Sequence, residues 1–402
     1  MKNSKKVLLF DLTSAQKPRH GSKYGGMILY TTAVFYKLVE QQRDDIIVKA
    51  LFVPDNFIVQ EILNFCRSHR IELVETTEAG IVDTVKRLKP DLYFTPNPTK
   101  NRIVDDSVKM VTVCHDIRTT EIYYDKLYWR FIGHWKEWVF LLDSILFKGY
   151  FQRQNMIKIA RQYIGHDHIK FIAVSQHTRH HIIVHFPEYL KKEVPVFYSP
   201  MLENVGENQR ESTVEDILKL GLEPQKFFFM DSGWRWSKND LRAAIALDRI
   251  FTAQPQLDIK VAITGVQNPK TYHHYIKNKD RFVLLNYVER ELLNALHKYA
   301  FATIYPTLGE GFGYTPMESF KYGVPVIAAA NSSVMEVCGD AALYCNPKSI
   351  QEIQNRCCQF LDDDIYKFFA SKAKPRYDYI TSKQKLDLDE FIHYIYGLCL
   401  DK

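Results

Sequence analysis

The chain has 402 residues, 46% hydrophobic and 25% charged, which is typical of a globular protein with two domains of about 200 residues each. Its formal net charge of +6 is too mild to indicate nucleic-acid binding, although it permits attraction to anionic lipid or phosphorylated ligands. Seven cysteines without a C-x-x-C pair argue against a zinc site and are typical of a reducing compartment. The N-terminal apolar run predicts a strand rather than a signal peptide, and no run approaches the ~18 residues of a membrane span. We therefore expect a cytoplasmic protein.

Buried-strand and helical patterns alternate through the first half of the chain. Strands are predicted at 7–10, 46–53, 72–75, 92–96, 109–114, 169–174 and 194–198, and helices at 27–40, 56–69, 81–88 and 176–185. This alternation predicts a parallel sheet covered on both faces. The first strand leads through a polar loop to Gly25-Gly26 and then a helix, which is how a mononucleotide-binding half begins.

Residues 117–168 interrupt the alternation with a helical segment in which Trp, Tyr and Phe lie among Lys and Arg. Two interpretations stay open for this segment. It suits a membrane interface, where aromatic rings and cations are favoured. It also suits a helical pair that packs its aromatic side chains inside the N-terminal domain, and this second interpretation is the one we expect.

The second half repeats the strand–helix series, with strands predicted at 227–231, 259–265, 281–288, 301–306, 324–330 and 343–347. A polar connection within 199–225 is the predicted linker, and 384–402 is a last helical segment. The sequence therefore predicts an N-terminal domain over 1–200, which includes 117–168, and a C-terminal domain over 201–383. Ligands of doubly wound sheets bind where the strands end.

The loop after the predicted strand 301–306 carries the densest motif of the chain. It contains Gly309, Gly311 and Gly313 and leads into a helix start. Thr315 suits an N-cap and Glu318 falls three residues later, which predicts a capping box. A glycine loop that delivers the chain into a helix N-terminus favours an anion, because N–H groups and the positive end of the helix dipole face the same space.

Glu310 and Glu318 flank this loop with seven residues between them, inside E-G-F-G-x-x-P-x-E. Together with residues 323–328 and 332–342, the stretch resembles the retaining GT-B glycosyltransferases of family 4, also called glycosyl transferases group 1. The resemblance is dense over 227–347 and sparse but ordered over 1–200. It implies an α/β GT-B fold, in which two Rossmann-like doubly wound parallel-sheet domains face a central cleft. It also implies that 384–402 crosses back to the N-terminal domain.

The resemblance implies a retaining, metal-independent hexosyltransferase that needs no cofactor. The donor would be a UDP- or GDP-linked sugar, and the acceptor a glycan or a lipid-linked glycan in cell-surface polysaccharide or glycolipid synthesis. Such an enzyme would be cytoplasmic, with peripheral contact at the inner face of the membrane. Two alternatives remain open, a nucleotide-sugar epimerase of the same fold and a non-catalytic GT-B subunit that binds a partner enzyme.

The resemblance also assigns the donor-binding residues. Arg235 and Lys238 would hold the diphosphate from an exposed cleft loop, together with the loop backbone at Gly311, Phe312 and Gly313. Gly25 and Gly26 would let the N-terminal domain approach a phosphate closely. A solvated basic turn and a plain helix-entry turn are the alternatives for these two loops.

Five further residues complete the predicted site. Glu310 and His115 are the catalytic candidates. Glu310 would hydrogen-bond the sugar hydroxyls, and His115, at a strand end, would hydrogen-bond the sugar near the anomeric carbon. Glu318 is assigned to the ribose or, alternatively, only to the helix cap. Tyr287 and Val288 end a strand beside the base pocket or, alternatively, belong to the core.

Two D-x-D patterns, at 362–364 and 387–389, match the metal motif of the other large glycosyltransferase class. Both lie in helical sequence away from a strand end, so we interpret them as solvated faces and expect no metal site.

Overall fold

The computed structural model describes residues 5–16, 26–122, 124–201 and 213–401. They fall into two compact units, one within Met1–Ile117, Ile157–Glu207 and Thr381–Lys402, the other within Arg118–Met156 and Asn208–Ile380. Most of the aromatic segment, which is predicted within the N-terminal domain, thus belongs to the second unit. The polar stretch 203–212 of the predicted linker lies outside the described residues.

The first unit contains a sheet of six parallel strands in the order β3-β2-β1-β4-β5-β6. Its strands are β1 (Lys6–Asp11), β2 (Ile46–Phe52), β3 (Glu72–Glu75), β4 (Leu92–Thr95), β5 (Met110–Cys114) and β6 (Ile169–Ala173). Its helices are α1 (Gly26–Glu40), α2 (Gln60–Ser68), α3 (Ile81–Leu88) and α6 (Gln176–His185). The order reverses between β1 and β4, so a switch point lies there. The strand predicted at 194–198 is reduced to a single bridge between Ala173 and Val196.

The second unit repeats this topology in the order β12-β11-β10-β7-β8-β9, with a switch point between β7 and β10. Its strands are β7 (Phe227–Met230), β8 (Lys260–Ile263), β9 (Phe282–Leu284), β10 (Ala302–Tyr305), β11 (Val326–Ala329) and β12 (Ala342–Cys345). Its helices include α7 (Val214–Leu218), α8 (Asp240–Ala253), α9 (Lys270–His273), α10 (Arg290–Tyr299), α11 (Tyr314–Phe320), α12 (Ser332–Cys338) and α13 (Ile350–Phe360).

Strand β7 shows why this sheet is covered on both faces. Phe228 and Met230 belong to one buried cluster, whereas Phe227 and Phe229 belong to another. Successive side chains of a strand point to opposite faces, so a run of four large apolar residues needs a helix layer on each side.

The last helix, α14, spans Asp363–Leu400 and supplies side chains to both units. Near its start, the Tyr366 hydroxyl donates to the Phe301 carbonyl in the second unit, at 3.0 Å. Near its end, Phe391 and Ile395 enter the buried cluster beneath the first sheet. The predicted segment 384–402 is thus the C-terminal half of a longer helix.

One of the two D-x-D interpretations is wrong. Asp362 and Asp363 are exposed, as predicted. Asp387 is buried instead, and its carboxylate accepts the backbone N–H of Tyr198 at 2.8 Å. Asp387 is therefore a structural residue of the first unit.

The aromatic segment forms short turns followed by two helices, α4 (Lys136–Phe147) and α5 (Tyr150–Ala160). Tyr128 and Leu141 are buried, but Trp135, Trp138 and most other apolar side chains between 129 and 151 are exposed. The predicted packing inside the N-terminal domain is therefore wrong, because the first turns pack within the second unit and most apolar side chains of the helices are exposed. In the part of the chain that the structure describes, no helix is long and apolar enough to cross a membrane.

Candidate functional site

The loops that follow β7 and β10 lie side by side at the switch point of the second sheet. The two strands pair in parallel, with Phe228 opposite Ala302, so their carboxyl ends reach the same edge. The first loop carries Arg235 and Lys238, and the second carries Glu310. Doubly wound sheets bind their ligands at this edge.

The centre of the site is an ion pair between Lys238 and Glu310. Lys238 Nζ lies 3.0 Å from Glu310 Oε1 and also donates to the Tyr305 hydroxyl at 3.0 Å. Lys238 is only 6% exposed, so the predicted exposed cleft loop is wrong. Asn239 explains the difference, because its side-chain amide donates to the carbonyls of Pro306 and Pro347 and draws the loop inward.

Glu310 is held as an ionised acceptor. The Thr307 hydroxyl donates to its carboxylate at 3.0 Å, and its backbone N–H donates to Ser332 Oγ at 3.1 Å. Burial alone would raise the pKa of this carboxyl, but the charges of Lys238, Arg118 and Arg235 outweigh burial and keep the pKa below its usual value. The side chain can therefore accept hydrogen bonds at neutral pH but cannot serve as a proton donor.

The β7 loop contains buried donors that the protein leaves unsatisfied. Arg235 stacks on Trp234, with its guanidinium carbon 5.2 Å from the ring centroid. Among the residues that the structure describes, Arg235 Nε and Trp236 Nε1 are buried without a hydrogen-bond partner. Unpaired buried donors cost about 1–3 kcal/mol each, so their presence at a switch point is typical of a ligand site.

Glu318 is not the helix cap that its spacing predicts. Helix α11 begins two residues earlier, at Tyr314, with Gly313 at the N-cap in the left-handed region (φ +99°) and no side-chain cap. Glu318 instead pairs with Arg290 Nη1 at 2.6 Å and lies 3.3 Å from His297 Nε2. Burial opposes ionisation, but Arg290 and His297 lower its pKa to about 2. Its charge is thus fixed by side chains rather than by the helix terminus.

The glycine loop itself is fixed by its neighbours. Ser333 Oγ donates to the carbonyls of both Glu310 and Phe312, at 2.9 Å each. Phe312 and Gly311 are buried, and the positive φ of Gly313 turns the chain into α11. The backbone at Gly311, Phe312 and Gly313 therefore follows one defined path beside Glu310.

Tyr287 and Val288 lie beyond the strand that is predicted to contain them. Strand β9 ends at Leu284, so both residues belong to the loop before α10, and Tyr287 is exposed. The same loop delivers Arg290, the first residue of α10, to Glu318. A core role for Tyr287 is thus wrong.

His115 belongs to the first unit, where it follows β5. Its Nε2 lies 3.0 Å from the Pro96 carbonyl, and its ring meets Tyr30 edge-on at 4.7 Å between centroids. A carbonyl can only accept, so Nε2 carries the proton and Nδ1 is the acceptor of the neutral ring. Burial lowers the pKa of His115, which keeps the ring neutral at physiological pH.

The predicted glycine pair is described only in part. Gly25 lies outside the described residues, and Gly26 is the exposed first residue of α1. A Cβ built on Gly26 would meet no atom within 4 Å, so the protein itself does not require glycine there. Any requirement would come from a ligand.

Residues 237–376 match the family described as glycosyl transferases group 1. These residues form a glycosyl transferases group 1 domain within the second unit. Two relatives are similar over parts of their length. O-antigen chain mannosyltransferase B of Escherichia coli is 37% identical over 87 residues, which are 22% of this chain and 23% of that protein. O-antigen chain mannosyltransferase RfbU of Salmonella typhimurium (strain LT2) is 33% identical over 160 residues, which are 39% of this chain and 45% of that protein. The chain thus spans less than half the length of these relatives.

Solved structures share the fold over nearly the whole chain. WaaG, a glycosyltransferase involved in lipopolysaccharide biosynthesis, superposes with a TM-score of 0.62 at 12% identity, covering 97% of this chain and 100% of that one. HepE from Anabaena, solved with UDP and glucose, gives a TM-score of 0.60 at 15% identity, covering 98% and 99%. With the two six-stranded parallel sheets, these likenesses confirm the α/β GT-B fold class.

The glycosyl transferases group 1 domain is contacted by a segment that lies outside the matched residues. Tyr124 and Tyr128 stack at 3.8 Å, and Tyr124 lies 4.9 Å from Trp236 in the β7 loop. Asp125 forms an ion pair with Arg242 of α8. A Cβ on Gly309 would approach Ile122 Cδ1 to 2.5 Å. The turns before α4 therefore pack directly on both loops of the site.

Sequence reasoning missed two cations of this site. Arg118 acts on the Glu310 charge, and Arg290 pairs with Glu318. Arg290 follows the predicted base-pocket residues, so its place at the start of a helix was a usable signal. Arg118 precedes Glu310 by nearly two hundred residues in a segment assigned to the other domain, and no local pattern marks it.

Proposed function

We propose that the protein is a retaining, metal-independent glycosyltransferase of family 4 that transfers a hexose from a nucleotide diphosphate sugar. The observation that carries the proposal is the buried Lys238–Glu310 pair at the switch point of the second sheet, beside the unsatisfied Nε of Arg235. A cation and an ionised acceptor held side by side suit a ligand with an anionic diphosphate and a polyhydroxyl sugar.

Each residue has a role in the proposed reaction. Lys238 and Arg235, with the loop N–H groups of Phe312 and Gly313, neutralise the diphosphate as it leaves with the electrons of the anomeric C–O bond. Glu310 accepts hydrogen bonds from sugar hydroxyls. The acceptor oxygen attacks from the face that the diphosphate leaves, and its proton passes to the departing phosphate oxygen.

The remaining predicted residues complete the binding of donor and acceptor. His115 Nδ1 accepts a hydrogen bond from a sugar hydroxyl near the anomeric carbon, which a neutral ring allows. Glu318 accepts hydrogen bonds from the ribose hydroxyls, and the loop at Tyr287 and Val288 contacts the base. Gly25 and Gly26, which belong to the first unit, let the phosphates approach the backbone closely.

The names of similar proteins support the substrate classes. Two relatives are O-antigen chain mannosyltransferases, and HepE was solved with UDP and glucose. We therefore propose a UDP- or GDP-linked hexose as donor, with mannose among the sugars to test first. The acceptor would be a glycan or lipid-linked glycan in cell-surface polysaccharide synthesis, and the enzyme cytoplasmic with peripheral contact at the inner membrane face.

A screen of nucleotide sugars tests the proposal. One UDP- or GDP-hexose should raise the melting temperature, since a ligand that binds only the folded state stabilises it, and the purified chain should hydrolyse it slowly. Glu310→Gln should abolish the hydrolysis. Conversion of the sugar without release of nucleotide would indicate the epimerase alternative, and binding without turnover the non-catalytic subunit. Stabilisation by no nucleotide sugar would contradict the proposal.

A further inference from the structure

Helix α4 has the reverse of the burial pattern of an ordinary surface helix, which buries apolar side chains and exposes polar ones. Its buried residues include Asp143 and Ser144, whereas its exposed residues are mainly large and apolar. Those exposed on α4 are Trp138, Val139, Phe140, Leu142, Ile145, Leu146 and Phe147, and Tyr150 and Phe151 extend the surface onto α5. A contiguous exposed apolar surface of this kind marks an interaction site.

The hairpin of α4 and α5 is internally braced, so its apolar face is a formed surface. The Asp143 carboxylate accepts the backbone N–H groups of Phe151 and Gln152, at 3.2 and 3.0 Å. The Gln152 amide donates to the Phe140 carbonyl at 2.8 Å and to Ser144 Oγ at 3.0 Å. The polar groups thus satisfy one another on the inner side, and the apolar side chains face outward.

The charge of the hairpin is positive. Residues 126–160 contain six lysines and arginines against two acids. Both acids are engaged by backbone groups: Asp143 as above, and Glu137 by the N–H groups of Gly133 and His134, at 2.7 and 3.0 Å. Six cations less two acids leave this stretch with a net formal charge of +4.

The cations lie beside the aromatic rings at the edge of the apolar surface. The Arg130 guanidinium carbon lies 3.6 Å from the centroid of Trp129, and Lys136 Nζ lies 5.8 Å from that of Trp135. Trp135 is 67% exposed. Tryptophan and basic residues around an apolar patch are typical of the boundary between lipid headgroups and acyl chains.

We propose that this hairpin, together with the preceding residues 129–135, docks the protein on an anionic lipid bilayer. Anionic headgroups complement its positive charge, whereas a second copy of the chain would bring two positive surfaces together. A helix of 12 residues is about 18 Å long, too short to span the hydrocarbon core, so α4 lies in the interface. This inference rests on the peripheral membrane contact in the proposed function and names the surface that makes it, but it does not depend on the proposed transfer reaction.

Vesicle flotation with the full chain tests the docking. Wild type should float with vesicles that contain phosphatidylglycerol, bind phosphatidylcholine vesicles weakly, and lose binding as salt screens the charges. Replacement of Leu142, Leu146 and Phe147 by Gln should reduce binding at least ~10-fold, since it removes apolar surface that the bilayer would bury. These side chains are exposed, so circular dichroism and melting temperature should not change.

A matched variant replaces three apolar residues elsewhere that are at least as exposed on average, Val184, Leu190 and Leu386, by Gln. It should bind vesicles like wild type. Equal vesicle binding by wild type and the hairpin variant, or no binding by wild type, would overturn the proposal. A concentration-dependent mass that the hairpin variant abolishes would assign the surface to a second copy instead. Nucleotide binding in solution should be unchanged in the hairpin variant, so failure of the docking is distinguishable from failure of the transfer proposal.

Discussion

At the scale of single residues, the burial of Lys238 changes what its removal should do. Lys238→Met leaves the Glu310 carboxylate inside the protein without its nearest cation, and breaking a buried pair in this way costs about 3–5 kcal/mol. We predict a loss of that order in the free energy of unfolding, measured in urea at pH 7, together with loss of nucleotide binding.

A double variant separates the stability effect from the binding effect. Lys238→Met with Glu310→Gln removes both charges and should recover most of the stability without recovering nucleotide binding. Lys226→Met, which breaks an exposed pair with Asp258, should leave stability nearly unchanged. Equal stability of Lys238→Met and wild type would show that the pair does not form as described.

Glu318 should make the protein sensitive to acid. Its pKa is about 2 in the folded protein, below the usual 4.5, so the ionised form stabilises the fold at neutral pH. This contribution, on the order of 3 kcal/mol, is present above about pH 4.5 and is lost as the pH falls towards 2. Glu318→Gln should therefore lose less stability than wild type between these pH values, as measured by urea unfolding. Parallel pH profiles of the two proteins would contradict the prediction.

Glu310 and Glu318 show what a local sequence pattern can predict and what it cannot. The family resemblance at the E-x7-E stretch predicts that both carboxylates belong to one site, and this stays a prediction. It could not reveal their partners, because Lys238, Arg118, Arg290 and His297 reach them through strand pairing and loop packing. The predicted capping box failed for a related reason, since the left-handed Gly313 takes the N-cap position two residues before Thr315.

At the scale of elements, Gly309 couples the β10 loop to the turns before α4. Its backbone does not require glycine, but a Cβ there would lie 2.5 Å from Ile122 Cδ1 and 3.2 Å from Ile122 Cγ1. Gly309→Ala should therefore loosen residues 118–131 and lower the melting temperature. Ile122→Ala in the same chain should relieve the clash and restore part of the stability.

Limited proteolysis of these variants reports on the segment directly. Cleavage within 118–131 should accelerate in Gly309→Ala and slow again in the double variant. Asp125→Ala, which breaks the pair with Arg242, should accelerate it without any new clash. Unchanged cleavage in all three variants would show that the segment does not pack on the site loops.

The same segment marks the limit of prediction for elements. Its aromatic and basic composition fits both a packed hairpin and an interfacial one, because composition does not say which side chains face outward. The inverted burial of α4 follows from hydrogen bonds on the inner side of the hairpin, where the backbone N–H and the side-chain amide of Gln152 donate to the Asp143 carboxylate. This is a tertiary arrangement, and the periodicity of hydrophobic residues gives no sign of it.

At the scale of the whole molecule, the alternation of strands and helices was enough to predict two doubly wound parallel sheets. Right-handed crossovers leave few arrangements for such a series. The assignment of residues 118–156 to the second unit could not be predicted, since it depends on contacts such as those of Tyr124 with Trp236, more than a hundred positions apart.

The stereochemistry of transfer tests the central claim most directly. With the donor found by the nucleotide-sugar screen, the anomeric configuration of the product would be read from proton NMR couplings in buffer containing EDTA. We predict the same configuration as in the donor and a rate nearly unaffected by EDTA, because Lys238, Arg235 and loop N–H groups neutralise the leaving diphosphate. An inverted product, or activity that vanishes with EDTA and returns with Mn²⁺, would contradict the account.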